Sequence, residues 1–339
     1  MTRTLRVGIL GAARIAPSAL VRPARRVAGV DVTAIAARDP VRAAAFARKH
    51  HVPRVLASYD ELIADPDIDA IYNPLPNGLH AQWTLAALAA GKHVLCEKPF
   101  TANEAEAQAV ADAAAARPEL VVMEAYHYRY HALAERMLEI VRGGDLGEIA
   151  EVRTWMCFPL PRFADIRYNF ALAGGTTMDC CYALHAMRLL GPGEPSVLSA
   201  TALLRDANVD RAMHATFEFP NGAVGHSITS MWSRQLPKFS LRVTGSRGRM
   251  HVRNFIAPQY WHQLAVTVNR TTKRSRMAGE PSYVAQLRAF AAAVTDGGPV
   301  ATPPEDAVVT MRLIDNVYRA AGLPLRGTPP TPPSATKLA

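Results

Sequence analysis

The 339 residues are 49% apolar, carry a formal charge of +9 and contain four cysteines, two of them adjacent. That apolar fraction excludes bulk disorder, and no apolar run approaches the roughly 18 residues of a membrane span. The basic residues are scattered without a block of five or six, which argues against a nucleic-acid binder, and the cysteines form neither a spaced disulfide framework nor a C-x-x-C metal pair.

Met-Thr-Arg-Thr runs directly into the strand-like "LRVGIL", so a cytoplasmic protein with free thiols, no metal and no membrane partner is expected. Up to residue 125 the chain repeats one rhythm of short apolar run, turn and Ala-rich helix, the pattern of a parallel sheet wrapped by helices. "LRVGIL", "DVTAIAA", "IDAIYN", "KHVLCE" and "ELVVMEA" are its clear strands. Ser58 with Glu61 and Thr101 with Glu104 fit capping boxes, and Asn77 is placed to cap the helix through "AQWTLAALAAG".

The first strand runs into "GAARIA", a G-x-A-x-x-A turn. Gly11 permits the tight turn, a small residue at Ala13 lets the backbone through Arg14 and Ile15 approach a pyrophosphate, and Ala16 lets helix and strand pack closely. The second strand ends in "AARDP", where an NAD site offers an acid to the ribose hydroxyl. Arg38 stands there instead and suits a 2'-phosphate, which favours NADP over NAD. The alternative is that Arg38 merely starts a solvated loop before Asp39, a helix cap. "VLCEKPF" places Glu97, Lys98 and Pro99 at the carboxyl end of a strand, the edge on which open α/β sheets bind ligands.

After Gly147 the rhythm changes to "EIAEVRTWMCF", "SVLSATALLR", "HATFEF", "AVGHSITSMW", "FSLRVTGS" and "GRMHVRN", the alternation of a mostly antiparallel sheet. The basic "NRTTKRSR" reads as a solvated loop. "SYVAQLRAFAAAV" and "PEDAVVTMRLIDNVYRAAG" are late helices that can pack back on the first unit. A Rossmann unit at 1–125, an α+β unit at 126–323 and a frayed Pro-rich tail at 324–339 are expected. The apolar stripes of "HATFEF" and "AVGHSITSMW" are expected to lie under a symmetric copy, giving a homodimer or homotetramer through the second sheet.

"GGTTMDCCYALHAMRLLG" reads as one buried helix, yet Asp179, Cys180, Cys181, Tyr182 and His185 sit where Leu and Ala belong. Burying them costs several kcal/mol unless each finds a partner.

With "GILGAARIA", "DPDIDAIYNPLPNGLHAQWTLAALAAGKHVLCEKP", "MEAYHYRYH" and "DIRYNFALAGGTTMDCCYALHAMRLLG" together, the chain resembles the Gfo/Idh/MocA family of nicotinamide-dependent oxidoreductases from about residue 5 to about residue 322. It is most similar to the branch with dimeric dihydrodiol dehydrogenase and NADP-dependent D-xylose dehydrogenases. The resemblance implies Tyr182 as catalytic acid or base, Asp179 as its carboxylate and Lys98 as a charge that brings the phenol's pKa toward working pH. Tyr182 comes three positions after Asp179, where the family pattern commonly has four, and both spacings keep the pair on one helix face. Asn73, Pro74, His80 and Glu97 are implied beside the cofactor. Arg167, His185 and Tyr126, with Arg129, are implied at the substrate; a structural salt bridge for Arg167, a core histidine and ordinary packing are the alternatives. The expected function is hydride transfer between NADP and an alcohol or carbonyl of a sugar-like or cyclic diol substrate. A non-catalytic NADP-binding sensor on the same fold is the second reading.

Overall fold

The computed structural model describes residues 4–235 and 237–327. Strands β1 (Leu5–Leu10), β2 (Val30–Ala36), β3 (Arg54–Leu56), β4 (Ala70–Asn73), β5 (His93–Cys96) and β6 (Val122–Glu124) form one sheet in the order 3-2-1-4-5-6. Every pairing in it is parallel. Helices cover both faces, so the inner strands are apolar throughout, as in "AIYN" of β4, where all four residues are buried. The order reverses between β1 and β4, which opens a crevice at the carboxyl ends of the strands.

The second sheet holds β7 (Ile149–Cys157), β8 (Ser196–Leu204), β9 (Asp210–Glu218), β10 (Val224–Ser230), β11 (Lys238–Gly245), β12 (Gly248–Arg253), β13 (Gln263–Val268) and β14 (Thr271–Ser275). Its order is 14-13-12-11-7-10-9-8, and only β7 and β10 pair in parallel. The helix Tyr182–Leu190 packs on β7 and β10 from the inner side. A Rossmann sheet followed by a mostly antiparallel one is the expected fold.

Several local expectations change. Ser58 does cap its helix, accepting from the Glu61 amide at 3.0 Å. Thr101 does not cap: Asn103 accepts the Glu106 amide at 2.9 Å, and Glu106 reaches back to the Ala102 amide, a capping arrangement two residues further on. Asn77 opens a short 3-10 turn, Asn77–Leu79, and spends its amide on the Ala173 carbonyl of the second unit. "NRTTKRSR" is no loop: Asn269 and Arg270 both have positive φ and turn the chain into β14, a fully exposed edge strand.

The apolar stripe of "HATFEF" also lies opposite to expectation. Met213, Ala215 and Phe217 are buried on the inner face, and the outer face of β9 shows His214, Thr216 and Glu218. Helix Ser282–Asp296 packs on the turns Pro17–Ala24 and His127–Tyr130, and helix Pro304–Ala320 packs on helix Glu104–Ala115 and on β8. The late helices therefore bind the two units together. The expected tail is docked at its start, because Arg326 is fully buried; residues 328–339 lie outside the described residues.

Candidate active site

The first βα turn is shaped for a dinucleotide. Gly11 has φ +82°, and a Cβ there would lie 3.0 Å from Leu75 Cδ2. The amides of Ala12, Ala13, Arg14 and Ile15 donate to no backbone carbonyl among the described residues, so they are free to receive a pyrophosphate. Arg38 is exposed at the end of β2. Arg42 stands one helical turn away and reaches the Ala12 carbonyl at 3.5 Å. Asp39 caps the following helix through the amides of Val41 and Arg42, which leaves Arg38 unengaged by it. These residues fit a dinucleotide that bears a 2'-phosphate.

Lys98 follows β5 and crosses to the second unit. Its ammonium donates to the Asp179 carbonyl at 2.9 Å and lies 3.5 Å from Asp179 Oδ1. Burial alone would lower this ammonium's pKa, but Asp179, Cys181 and Glu97 together outweigh it and hold it above the ordinary value. For Asp179, burial works upward, and Lys98 with Arg167 outweighs it and holds the carboxylate low. Arg167 Nε donates to Asp179 Oδ1 at 3.2 Å and Nη1 to Asp165 at 3.1 Å, so a salt bridge is built and the guanidinium still remains 43% exposed toward solvent.

The segment expected as one helix is broken. Thr176–Asp179 makes one turn, Cys180 and Cys181 carry the chain round, and Tyr182–Leu190 begins anew. Asp179 thus ends one helix while Tyr182 starts the next, so the pair is set by the break and not by a shared helix face. The Tyr182 ring stands among Tyr126, His127 and Tyr128, and Lys98 Nζ lies 5.1 Å from its centroid. Burial pushes the phenol's pKa well above 10, with Tyr283, Glu97, Cys181 and Asp179 adding to the shift. Lys98 was expected to lower it. Its charge is engaged by Asp179, and desolvation decides the resting state.

Several expected contacts prove to be supports. His80 is fully buried with one ring nitrogen 2.8 Å from the Pro99 carbonyl and the other 2.7 Å from that of Leu75. Burial works its pKa down to about 4 against the pull of the two carbonyls, and with both nitrogens turned to them the ring braces the turn after Lys98 and has no nitrogen left for a cofactor. The Asn73 amide bonds the His80 carbonyl and Thr84, leaving only backbone at Asn73 and Pro74 to face a ligand. Tyr126 is fully buried and stacks on His185 at 4.0 Å. His185 meets the Tyr128 hydroxyl at 2.7 Å and Asp306 at 3.3 Å, which makes it the core histidine of the two alternatives. Arg129, one-third or less exposed, keeps its Nε buried.

Glu97 accepts from the Tyr72 hydroxyl at 2.8 Å, and burial raises its pKa. Tyr72 and Tyr283 were not singled out from the sequence, although Tyr72 sits at a strand's carboxyl end, the one signal available. Tyr283 stacks on His127 at 4.0 Å from the start of a late helix, a juxtaposition that no local pattern announces. No group of three metal-ligating side chains occurs among the described residues.

Two family models match the chain: the oxidoreductase family with an NAD-binding Rossmann fold, over residues 5–126, and the GFO/IDH/MocA C-terminal domain, over residues 134–251. D-xylose 1-dehydrogenase (NADP(+)) 2 of Haloferax volcanii is 36% identical, covering 93% of this chain and 96% of its own. The mouse trans-1,2-dihydrobenzene-1,2-diol dehydrogenase is 32% identical over 67% of this chain and 68% of its own. Among solved structures, a 3-ketoreductase from Actinomadura kijaniata in complex with NADP and TDP-benzene superposes with a TM-score of 0.86 at 27% identity, over 94% of this chain and 98% of that one.

Proposed function

The chain belongs to the Gfo/Idh/MocA oxidoreductase family, and from that premise we propose that it is an NADP-dependent enzyme acting on a hydroxyl or carbonyl of a sugar-like or cyclic diol substrate. The observation that carries the reading is the meeting of Lys98, from the cofactor-binding unit, with Asp179 and Tyr182 from the second. A sensor needs no proton donor beside a buried ammonium. The NADP-dependent relatives and the NADP-bound neighbour support the cofactor.

When bound, NADP supplies the hydride chemistry. Tyr182, protonated at rest because its pKa is raised, gives its proton to a carbonyl oxygen in reduction and takes one from a hydroxyl in oxidation. Lys98, pinned by Asp179, keeps a fixed positive charge beside the phenol ring and stabilises the phenolate once the proton has left. Arg167, half open to solvent while tied to Asp179 and Asp165, offers its remaining donors to substrate hydroxyls. A screen of aldoses, anhydro sugars, cyclitols and trans-dihydrodiols with NADP, followed by absorbance of the reduced cofactor, tests the reading. Tight NADP binding without turnover of any of them would favour the sensor.

Cofactor choice is assigned to Arg38, with Arg42 beside it. Arg38→Asp is expected to weaken NADP by about 1.5 to 3 kcal/mol, roughly a tenfold to 150-fold rise in Kd, and to leave NAD nearly unchanged. Equal NADP affinity in calorimetry would move the phosphate contact elsewhere.

For assembly, the β8–β10 half of the outer sheet face is the surface proposed to receive a second copy. Leu203 and Trp232, 49% and 40% exposed, line a groove of about 700 Å³ there with Ile228 and His214. The β11–β14 half carries Arg242, Arg249 and Arg274 and would repel its own copy. Light scattering at micromolar concentration should give a mass of at least two chains, and Trp232→Glu should reduce it; a monomeric wild type would remove the proposal.

A further inference from the structure

The one-turn helix that presents Asp179 is held at both ends by charge. At its carboxyl end the Asp179 carbonyl accepts the Lys98 ammonium. At its amino end, Asp210 Oδ2 accepts both the Thr177 amide and the Thr177 hydroxyl at 2.7 Å. An anion at the start and a cation at the end are the arrangement a helix dipole favours. A single turn is too short to hold itself, so its place depends on these anchors.

Asp210 is itself fixed by residues far away in sequence. Its Oδ1 accepts Arg326 Nη2 at 2.9 Å and the Tyr318 hydroxyl at 3.0 Å. Arg326 Nε donates to the Gly174 carbonyl at 2.6 Å, just ahead of the helix, and the guanidinium lies 3.9 Å from the Tyr318 ring centroid. Both members of the pair are fully buried. Gly175, at φ +143°, has no room for a side chain between Asp210, Tyr318 and Arg326, so the backbone is drawn directly onto the pair.

We propose that Asp210 and Arg326 are positioning residues for the active site: together they fix the one-turn helix and so set where Lys98 is held beside Tyr182. The proposal rests on the reading of Lys98 and Tyr182 as the proton-handling pair. It assigns a mechanistic role to a buried ion pair that touches neither cofactor nor substrate, and it acts through the hydrogen bonds from Arg326 and Thr177 to Asp210, the backbone of the turn from Thr177 to Asp179, and the hydrogen bond from Lys98 to the Asp179 carbonyl. A misplacement of about 1 Å at such a site costs on the order of a hundredfold in rate.

The test uses NADP-loaded Arg326→Gln. Hydrogen exchange at amides 176–182 should accelerate at least tenfold while β1, β4 and β5 keep their wild-type rates. Turnover of the best substrate found should fall roughly tenfold to a hundredfold, with KM and the NADP Kd within about threefold. Arg326→Lys, which keeps the charge, should recover part of the loss. A variant in which exchange rises equally everywhere, or in which turnover per folded molecule is unchanged, overturns the proposal and leaves the pair as a stabilising contact alone. If Arg326→Gln does not fold, Tyr318→Phe removes one hydrogen bond from Asp210 and should give the same pattern at about two- to fivefold; unchanged exchange at 176–182 in that variant also overturns it. If the wild type turns over none of the screened substrates, the functional reading fails, and the exchange pattern still decides whether the pair positions the helix.

Discussion

Tyr182→Phe is expected to lower turnover by roughly 10²- to 10⁴-fold, about 3 to 5 kcal/mol of transition-state stabilisation, while NADP still binds. The substitution removes one oxygen from a ring enclosed by Tyr126, His127 and Tyr128, so the packing that holds the helix survives. The pH dependence follows from the raised phenol pKa. Because the group keeps its proton through neutrality, wild-type reduction should be insensitive to pH there and decline only when the phenol ionises. Oxidation needs the phenolate and should climb with pH over the same range. In the phenylalanine variant that climb should vanish. Near wild-type turnover in both directions would exclude Tyr182 as the proton carrier.

Lys98→Met is expected to cost a comparable factor, for a different reason. Methionine matches the apolar stem of the side chain and removes the ammonium, leaving the Asp179 carbonyl without its donor and the carboxylate with Arg167 as its remaining cation among the described residues. The phenolate formed during the reaction then lacks a neighbouring positive charge. Since both substitutions disable the same proton transfer, the double variant should lose much less than the product of the two single losses. Strictly multiplicative losses, measured as kcat/KM, would show that the residues act independently.

Five strands of the β1–β6 sheet were legible because each is a short apolar run closed by turn residues, and the glycine of "GAARIA" has a steric reason that local sequence displays. β3 was missed because Arg54–Leu56 is three half-exposed residues with no run to detect, and β14 because five exposed polar residues carry no alternation. The Thr101 capping box failed on competition, since Asn103 offers the same chemistry two residues later. The break at Cys180–Cys181 has no local signature: both residues are fully buried, and the turn is imposed by what packs around it. In the site, Lys98 and Tyr182 were legible as types in a pattern. The direction of the tyrosine's pKa was not, because desolvation depends on neighbours such as Tyr126 and Tyr283 that arrive from elsewhere in the chain. His185 looks like a ligand contact in sequence, yet both its ring nitrogens meet partners from elsewhere in the chain, Tyr128 and Asp306.

The contact between Asp210 and Arg326 spans 116 residues, and during synthesis Arg326 is added after every helix and strand described above. The nucleotide-binding unit can therefore condense while translation is still in progress, at a stage when Asp210, the anchor at the start of the turn that carries Asp179, still lacks its Arg326 partner. A nascent chain is thereby able to capture its cofactor early, gaining the stability that a bound ligand lends to the folded form, before its active site is fully set. Full turnover is expected only once translation has delivered Arg326 to fix Asp210.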